Sequence, residues 1–328
     1  MSATLLQVED LHVVFATPRG KVHAVDGVSF SVAEGEVLGI VGESGSGKSV
    51  TLRAIPRLLH ANATVTGRAL WRGDDLQTME DEKLRRIRGG QVAVVFQEPM
   101  SALNPVLPIG VQIDEALVAH TALDAAARRR RAVELLGQVG IASAATRLDQ
   151  FPHEFSGGMR QRAMIAIALA ADPALLLADE PTTALDVTIQ DQILKLLLRL
   201  VAELRMALVL VTHDLGVVAE TCDRVAVMYA GRLCETGSVM DVFTRPRHAY
   251  TAALLRSMPG EGAARSMLVP IPGQPPRIDA PVPGCAFAPR CSWVEPRCAD
   301  ERPRLLDQAE GHASACHAAA RLAAGSVA

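Results

Sequence analysis

The sequence predicts an α/β fold in which helices cover a largely parallel sheet, and three observations predict it. Short apolar runs bounded by charge or glycine alternate with amphipathic helical patterns from residue 1 to about 257. A glycine-rich segment, Gly42–Ser49, joins one of these runs to a helical pattern. Composition then changes abruptly: ten of the 19 prolines lie between Pro259 and Pro303, a stretch that can hold neither a helix nor a central strand.

The elements follow in order. "VEDLHVVF" and "VDGVSFSV" alternate with period two, which predicts an antiparallel strand set ahead of the core. "EVLGIVG" (Glu36–Gly42), "QVAVVF" (Gln91–Phe96), "ALLLAD" (Ala174–Asp179) and "ALVLVTH" (Ala207–His213) read as buried strands. "VTIQDQILKLLLRLVAEL" (Val187–Leu204) has the spacing of an amphipathic helix. No internal repeat is visible, so residues 1–258 form one nucleotide-type domain rather than two in tandem. "PIPGQPPRIDAPVPG" is a linker, and residues 259–328 make a small proline- and cysteine-rich extension.

Composition sets limits. With 328 residues, 49% hydrophobic and 21% charged, the chain has ample material for a core. A net charge of −3 gives no bulk electrostatic grip on nucleic acid or anionic lipid. The one basic block, Arg128–Arg131, sits in an alanine-rich helical pattern and reads as a solvated face. The N-terminus has no basic leader, and the longest apolar run, "AMIAIALAA", is half of the roughly 18 residues a membrane span needs. The expectation is a cytoplasmic chain whose membrane role comes through a partner. In that compartment six cysteines do not read as three structural disulfides.

"GESGSGKS" fits G-x-x-x-x-G-K-[ST] and stands between a strand and a helix, as a phosphate loop must. Gly42, Ser44, Gly45 and Gly47 belong to a backbone that curls its N–H groups toward phosphate oxygens; Lys48 reaches the β- and γ-phosphates and Ser49 binds Mg²⁺. "LLLADE" buries a strand and brings Asp179 to its C-terminal end, where ligands bind in open α/β sheets. A carboxylate there holds Mg²⁺, and Glu180 after it is a candidate general base for water. In "HEFSGGMRQRAMIAIALAADP" Ser156 caps a long apolar helix, with Gly157 and Gly158 leaving the backbone bare. This second anion site lies some hundred residues from the first and invites a role toward ATP on another subunit.

These residues together resemble the ATP-binding-cassette (ABC) ATPases over about residues 4–257. The family order is present: phosphate loop Gly42–Ser49, Gln97, "FSGGM", the strand to Asp179, Glu180, "ALD" at Ala184–Asp186, and His213 after "LVLVT". The resemblance implies an ABC-type core with an N-terminal antiparallel subdomain and a helical subdomain at about 98–165. It also implies a dimer that sandwiches two ATP molecules, Ser156 and Gly158 of one subunit meeting the phosphate held by Lys48 of the other. His213 would hold the γ-phosphate and water, Gln97 would link the Mg²⁺ site to a transmembrane partner, and Asp186 would communicate across the dimer. Two departures stand out. Phe155 and Met159 replace the ends of the family's LSGGQ, and Phe15 is either the adenine-stacking aromatic or an ordinary strand residue.

"QEPMSALNP", "FPHEFSGGMRQR", "DEPTTALDVT", "RPRHAYTAALL" and "PGCAFAPRC" look like the ATPase subunits of oligopeptide and dipeptide importers. What this implies is a peripheral subunit on the cytoplasmic face of the membrane, hydrolysing ATP to drive peptide import. Its partners would be a second ABC ATPase, paralogous or identical, two transmembrane permease subunits docked near "ALNPVLPIGVQIDEAL" and, indirectly, an extracytoplasmic solute-binding protein; nucleic acid is not among them. Related importers of nickel, glutathione or other small solutes share these motifs, and the rival class is a soluble ABC ATPase without a permease.

Cys285, Cys291, Cys298 and Cys316 have the spacing C-x5-C-x6-C-x17-C, which matches neither common zinc ribbons nor bacterial ferredoxins. A tail so poor in apolar residues needs a staple. The importer resemblance points to a [4Fe–4S] cluster; zinc, with His312 or His317 replacing a thiolate, is the alternative, followed by a disulfide pair and by unmetallated thiols. Cys222 and Cys234 lie in apolar stretches and read as small buried hydrophobes.

Overall fold

The structure, a computed structural model, describes residues 3–18, 20–182, 186–257, 270–276 and 282–325. β1 (Thr4–Thr17) and β2 (Gly20–Ala33) are the period-two segments, and β3 (Val37–Val41) precedes the glycine-rich loop. α1 (Lys48–Ala54), β4 (Ala63–Trp71), β5 (Asp74–Asp75), α2 (Asp81–Ile87) and β6 (Val92–Val95) follow. A helical stretch holds α3 (Pro99–Ala102), α4 (Ile109–His120), α5 (Ala125–Gln138), α6 (Ala144–Arg147) and α7 (Gly157–Ala168). Then come β7 (Leu175–Asp179), α8 (Val187–Leu204), β8 (Ala207–Thr212), α9 (Leu215–Thr221), β9 (Arg224–Tyr229) and β10 (Arg232–Ser238). α10 (Val239–Thr244), α11 (Ala249–Arg256), β11 (Leu306–Ala309), β12 (His312–Ser314) and α12 (Ala319–Ala324) complete the described chain.

The chain forms two compact units, the first made of Met1–Leu5, Val32–Glu36 and Thr78–Val211. In it β6, β7 and β8 pair in parallel, Leu175 opposite both Val92 and Ala207. Leu175, Leu176, Leu177 and Ala178 are wholly buried, as a parallel strand covered on both faces requires. Each buried leucine contributes about 1.5–3 kcal/mol of transfer free energy. The helices of this unit pack through stripes at helical spacing: Ile109, Ile113 and Leu117 on α4, Ala132, Leu135 and Leu136 on α5, and Ile193, Leu196, Leu197 and Leu200 on α8. Asp124 caps α5 by accepting the Ala127 N–H at 2.8 Å. The arginine run lies on α5, where Arg128 pairs with Asp114, Arg129 with Asp149 and Arg131 with Asp172. The sequence suggested a solvated face; Arg129 is exposed, while Arg128 and Arg131 are half-buried in these pairs.

The second unit comprises Leu6–Ser31, Val37–Gln77 and Thr212–Ala328. Its antiparallel sheet has the order β2-β1-β4-β5, with Leu6 opposite Trp71 and Phe15 opposite Ala63. β3 pairs in parallel with β9, β9 with β10 antiparallel, and the tail strands β12 and β11 extend this ladder from β10. Around β9 packs a core of Val41, Val227, Tyr229, Val242 and Tyr250 that also takes in Phe287 and Leu322 of the tail. The sequence predicts a staple for this tail, and the tail is anchored by packing against the preceding domain. Its few apolar residues enter a core supplied by the preceding domain. The expected boundary at 258/259 lies outside the described residues.

Candidate functional site

The phosphate loop is shaped by two backbone approaches that exclude any side chain. At Gly42, φ is +154° and a Cβ would meet the carbonyl oxygen of Met228 at 2.1 Å. At Gly47, φ is +100° and a Cβ would lie 2.4 Å from the carbonyl oxygen of Ala24. The loop then enters α1 at Lys48, which is 4% exposed. Lys48 Nζ donates to the carbonyls of Gly42 (2.7 Å) and Glu43 (2.9 Å) and to Ser46 Oγ (3.4 Å). A buried ammonium resting on carbonyl oxygens is placed to exchange them for the stronger acceptors of a phosphate. Ser44 and Gly45 face solvent at the loop's crest, while Ser49 is half-buried on α1.

In the first unit, β7 delivers Asp179 fully buried at its C-terminal end. Glu180 follows with φ +45°, a left-handed conformation that costs a non-glycine residue about 1–3 kcal/mol. The bond from its N–H to the Val211 carbonyl (2.9 Å) fixes that turn. Its carboxylate oxygen Oε2 accepts from Gln97 Nε2 at 3.1 Å. The structure thus brings Gln97, beyond β6, onto Glu180, beyond β7; adjacent parallel strands set this contact. A half-buried carboxylate aimed by an amide donor has the chemistry of a base for water.

Ser156 is the N-cap of α7, its hydroxyl accepting the Met159 N–H at 3.3 Å. Ser156 and Gly157 are exposed, Gly158 is buried, and Phe155 is 2% exposed, anchoring the turn. His213 is exposed immediately after β8, and Phe15 is half-buried on β1. Asp186 is exposed at the N-terminus of α8, whereas Ala184 lies outside the described residues.

The cysteines depart from expectation. Among the described residues no group of three or more His, Cys, Asp or Glu side chains is disposed to hold a metal ion, so the geometry lends neither the iron–sulfur nor the zinc expectation a formed site. All six cysteines are free, which removes the disulfide alternative. His312 bonds to the buried Glu235 at 2.7 Å and His317 donates to the Glu301 carbonyl at 3.0 Å, so both imidazoles are already engaged. Burial pushes the Cys285 and Cys316 thiols up and that of Cys291 to about 11, keeping them protonated at neutral pH. Cys234 is a buried hydrophobe as expected; Cys222 is half-buried, its thiol also pushed up to about 11 by burial.

Comparison with known proteins places this geometry. The ABC transporter family model matches residues 25–183, and the model of the oligopeptide/dipeptide transporter C-terminal region matches residues 234–298. A putative peptide import ATP-binding protein of Brucella abortus is 48% identical over 96% of this chain and 95% of its own. The chain belongs to the ABC transporter ATPase family. The dipeptide transport ATP-binding protein DppD of Escherichia coli is 49% identical over 95% of this chain and 96% of its own. The oligopeptide transport ATP-binding protein OppD of Bacillus subtilis is 48% identical over 94% and 87%. Among solved structures, a bacterial ABC transporter cassette in dimeric form is 30% identical with a TM-score of 0.64, covering 72% of this chain and 99% of that one.

As a member of the ABC family the protein is an ATPase. Sequence reasoning missed what surrounds the family's loop in this chain. Tyr250 on α11 accepts the Glu43 N–H at 2.8 Å, and Arg290 of the tail grips the Glu43 carboxylate. Both partners lie in quoted stretches, "RPRHAYTAALL" and "PGCAFAPRC", but those stretches are remote in sequence from the loop they contact. Like the contact of Tyr229 on β9 with Phe287 in the tail, pairing across such a distance is not legible from spacing.

Proposed function

We propose that this protein is the ATP-hydrolysing subunit of a peptide importer, working at the cytoplasmic face of a membrane. The observation that carries the reading is its likeness, along nearly the whole chain, to ATP-binding proteins named for peptide, dipeptide and oligopeptide import. In this reading Gly42, Ser44, Gly45 and Gly47 cradle the phosphates and Lys48 neutralises the β- and γ-groups. Ser49, Gln97 and Asp179 hold Mg²⁺, Glu180 takes the proton of the attacking water, and His213 orients water and γ-phosphate. Phe15 stacks on adenine. Ser156, Gly157 and Gly158 meet ATP on a second cassette, and Asp186 relays between the two.

The chain divides into a cassette over residues 1–258, with a helical subdomain at about 98–165, and an extension over 259–328. The partners are a second ABC ATPase, identical or paralogous, two permease subunits and, indirectly, a solute-binding protein. No helix among the described residues is long and apolar enough to cross a membrane, so the permeases supply the path. Support for their docking near α3 and α4 comes from Met100, Val106, Val111 and Val118, apolar side chains 42–74% exposed. Affinity purification of the chain from membranes tests the assembly: permeases and an ATPase partner retained together support it, and recovery with nucleic acid and no permease contradicts it.

The narrower reading of the tail is a [4Fe–4S] cluster, with zinc as the alternative, on Cys285, Cys291, Cys298 and Cys316. Supporting it, the Trp293 and Glu295 N–H groups donate to the sulfurs of Cys291 and Cys298 at 3.3 and 3.4 Å. Metal binding would require these thiols to lose their protons and close up. Iron, zinc and acid-labile sulfide analysis of protein purified without oxygen tests it. About four iron and four sulfide per chain support the cluster, and no metal removes it.

A further inference from the structure

The tail reaches the phosphate loop through one side chain. Arg290 ends a short turn (Ala288–Arg290) that the cysteine-bearing segment builds: the Ala288 N–H bonds to the Cys285 carbonyl and the Arg290 N–H to the Phe287 carbonyl. Its guanidinium forms a two-pronged pair with Glu43, Nη1 to Oε2 at 2.7 Å and Nη2 to Oε1 at 3.0 Å, across 247 residues of sequence. The remaining donors go to the Pro272 carbonyl (2.8 Å), the Ile271 carbonyl (3.4 Å) and the Tyr229 hydroxyl (3.2 Å). The Arg290 side chain is 5% exposed and that of Glu43 24%. Such a fork is rigid and directional, unlike a surface ion pair.

Glu43 is the second residue of a loop whose task is to bind an anion, and a carboxylate there has the wrong sign. The same residue is held at its N–H by Tyr250 and at its carbonyl by Lys48 Nζ, so its side chain, its backbone and the phosphate-binding lysine form one connected unit. We propose that Arg290 is a positioning residue for ATP binding: it cancels the Glu43 charge beside the triphosphate site, making nucleotide affinity depend on the C-terminal extension. The proposal rests on the reading of Gly42–Ser49 as the ATP loop.

Charge cancellation and simple packing give different results in a four-variant comparison on the full-length chain. The readouts are KM for ATP, kcat, and equilibrium binding of a trinitrophenyl ATP analogue. Arg290→Ala raises KM and weakens binding about tenfold, while kcat falls less than about twofold, because truncating one partner of a desolvated pair leaves a bare carboxylate facing the ligand. Glu43→Gln is the reference for the pair: in its background Arg290→Ala changes KM less than about threefold, and the double variant binds ATP more tightly than Arg290→Ala alone. Arg290→Lys keeps the charge without the fork, lies between parent and alanine variant, and stands in if the alanine variant does not fold. An unchanged KM in both Arg290 variants, or a double variant as impaired as Arg290→Ala alone, overturns the proposal. A parent chain that neither binds nor hydrolyses ATP would instead overturn the reading of the loop itself.

Discussion

His248 shows how a single side chain can set the stability of the tail's attachment. It is 3% exposed, and its Nδ1 accepts the Tyr250 N–H at 3.0 Å, so the neutral ring caps α11. Burial pushes its pKa down to about 4, against the opposing pull of the Glu235 carboxylate and the Ala315 backbone. The unfolded imidazole titrates near 6.5, so the unfolded state binds the extra proton between those values. The contribution of His248 is therefore complete above about pH 6.5 and is lost as pH falls from there toward 4, amounting to roughly 3 kcal/mol. Thermal midpoints measured from pH 7.5 to 4.5 are expected to fall across this window, and His248→Asn, which keeps an acceptor without the titration, is expected to flatten the fall. At this scale the phosphate loop was legible because its chemistry sits on consecutive positions. Arg290 and Glu43 were not, because their pairing exists only once the tail has folded back.

Between β3 and α1 the loop is held open by geometry that belongs to the element rather than to any side chain. Gly42→Ala would drive a methyl group onto the Met228 carbonyl of β9, a strand paired in register with β3. Backbone against backbone leaves nothing flexible to yield, and the substitution is expected to weaken ATP binding by more than about tenfold and to destabilise the fold by about 2 kcal/mol or more. Titration with an ATP analogue and a denaturant melt check both. Elements with a strong local pattern were readable: α8 spans the expected residues 187–204, and β7 and β8 start and end within a residue of expectation. β11 and β12 were not readable. They are short and poor in apolar residues; β12 pairs with β10, nearly eighty residues earlier, and β11 pairs in turn with β12.

For the whole molecule, the fold class and the family were visible in the order of motifs, each of which needs only a strand end or helix start to make sense. The cysteines were the opposite case. Their clustering in sequence suggested a metal staple, yet the described tail is attached by packing of Phe287 and Leu322, by β10–β12 pairing and by the buried Glu235–His312 contact. Any metal there would add to an attachment that protein contacts already make.

The central claim is that ATP hydrolysis at this chain drives peptide uptake, and Glu180, aimed by Gln97, tests it most directly. The measurement is uptake of a labelled dipeptide into membrane vesicles carrying the complete transporter, with ATP supplied to the ATPase face, for the parent and for Glu180→Gln. The parent should accumulate peptide only with ATP, and the variant should bind ATP while hydrolysis and uptake fall together by about a hundredfold or more. Uptake that persists in the variant, or parent hydrolysis that moves no peptide, would contradict the account.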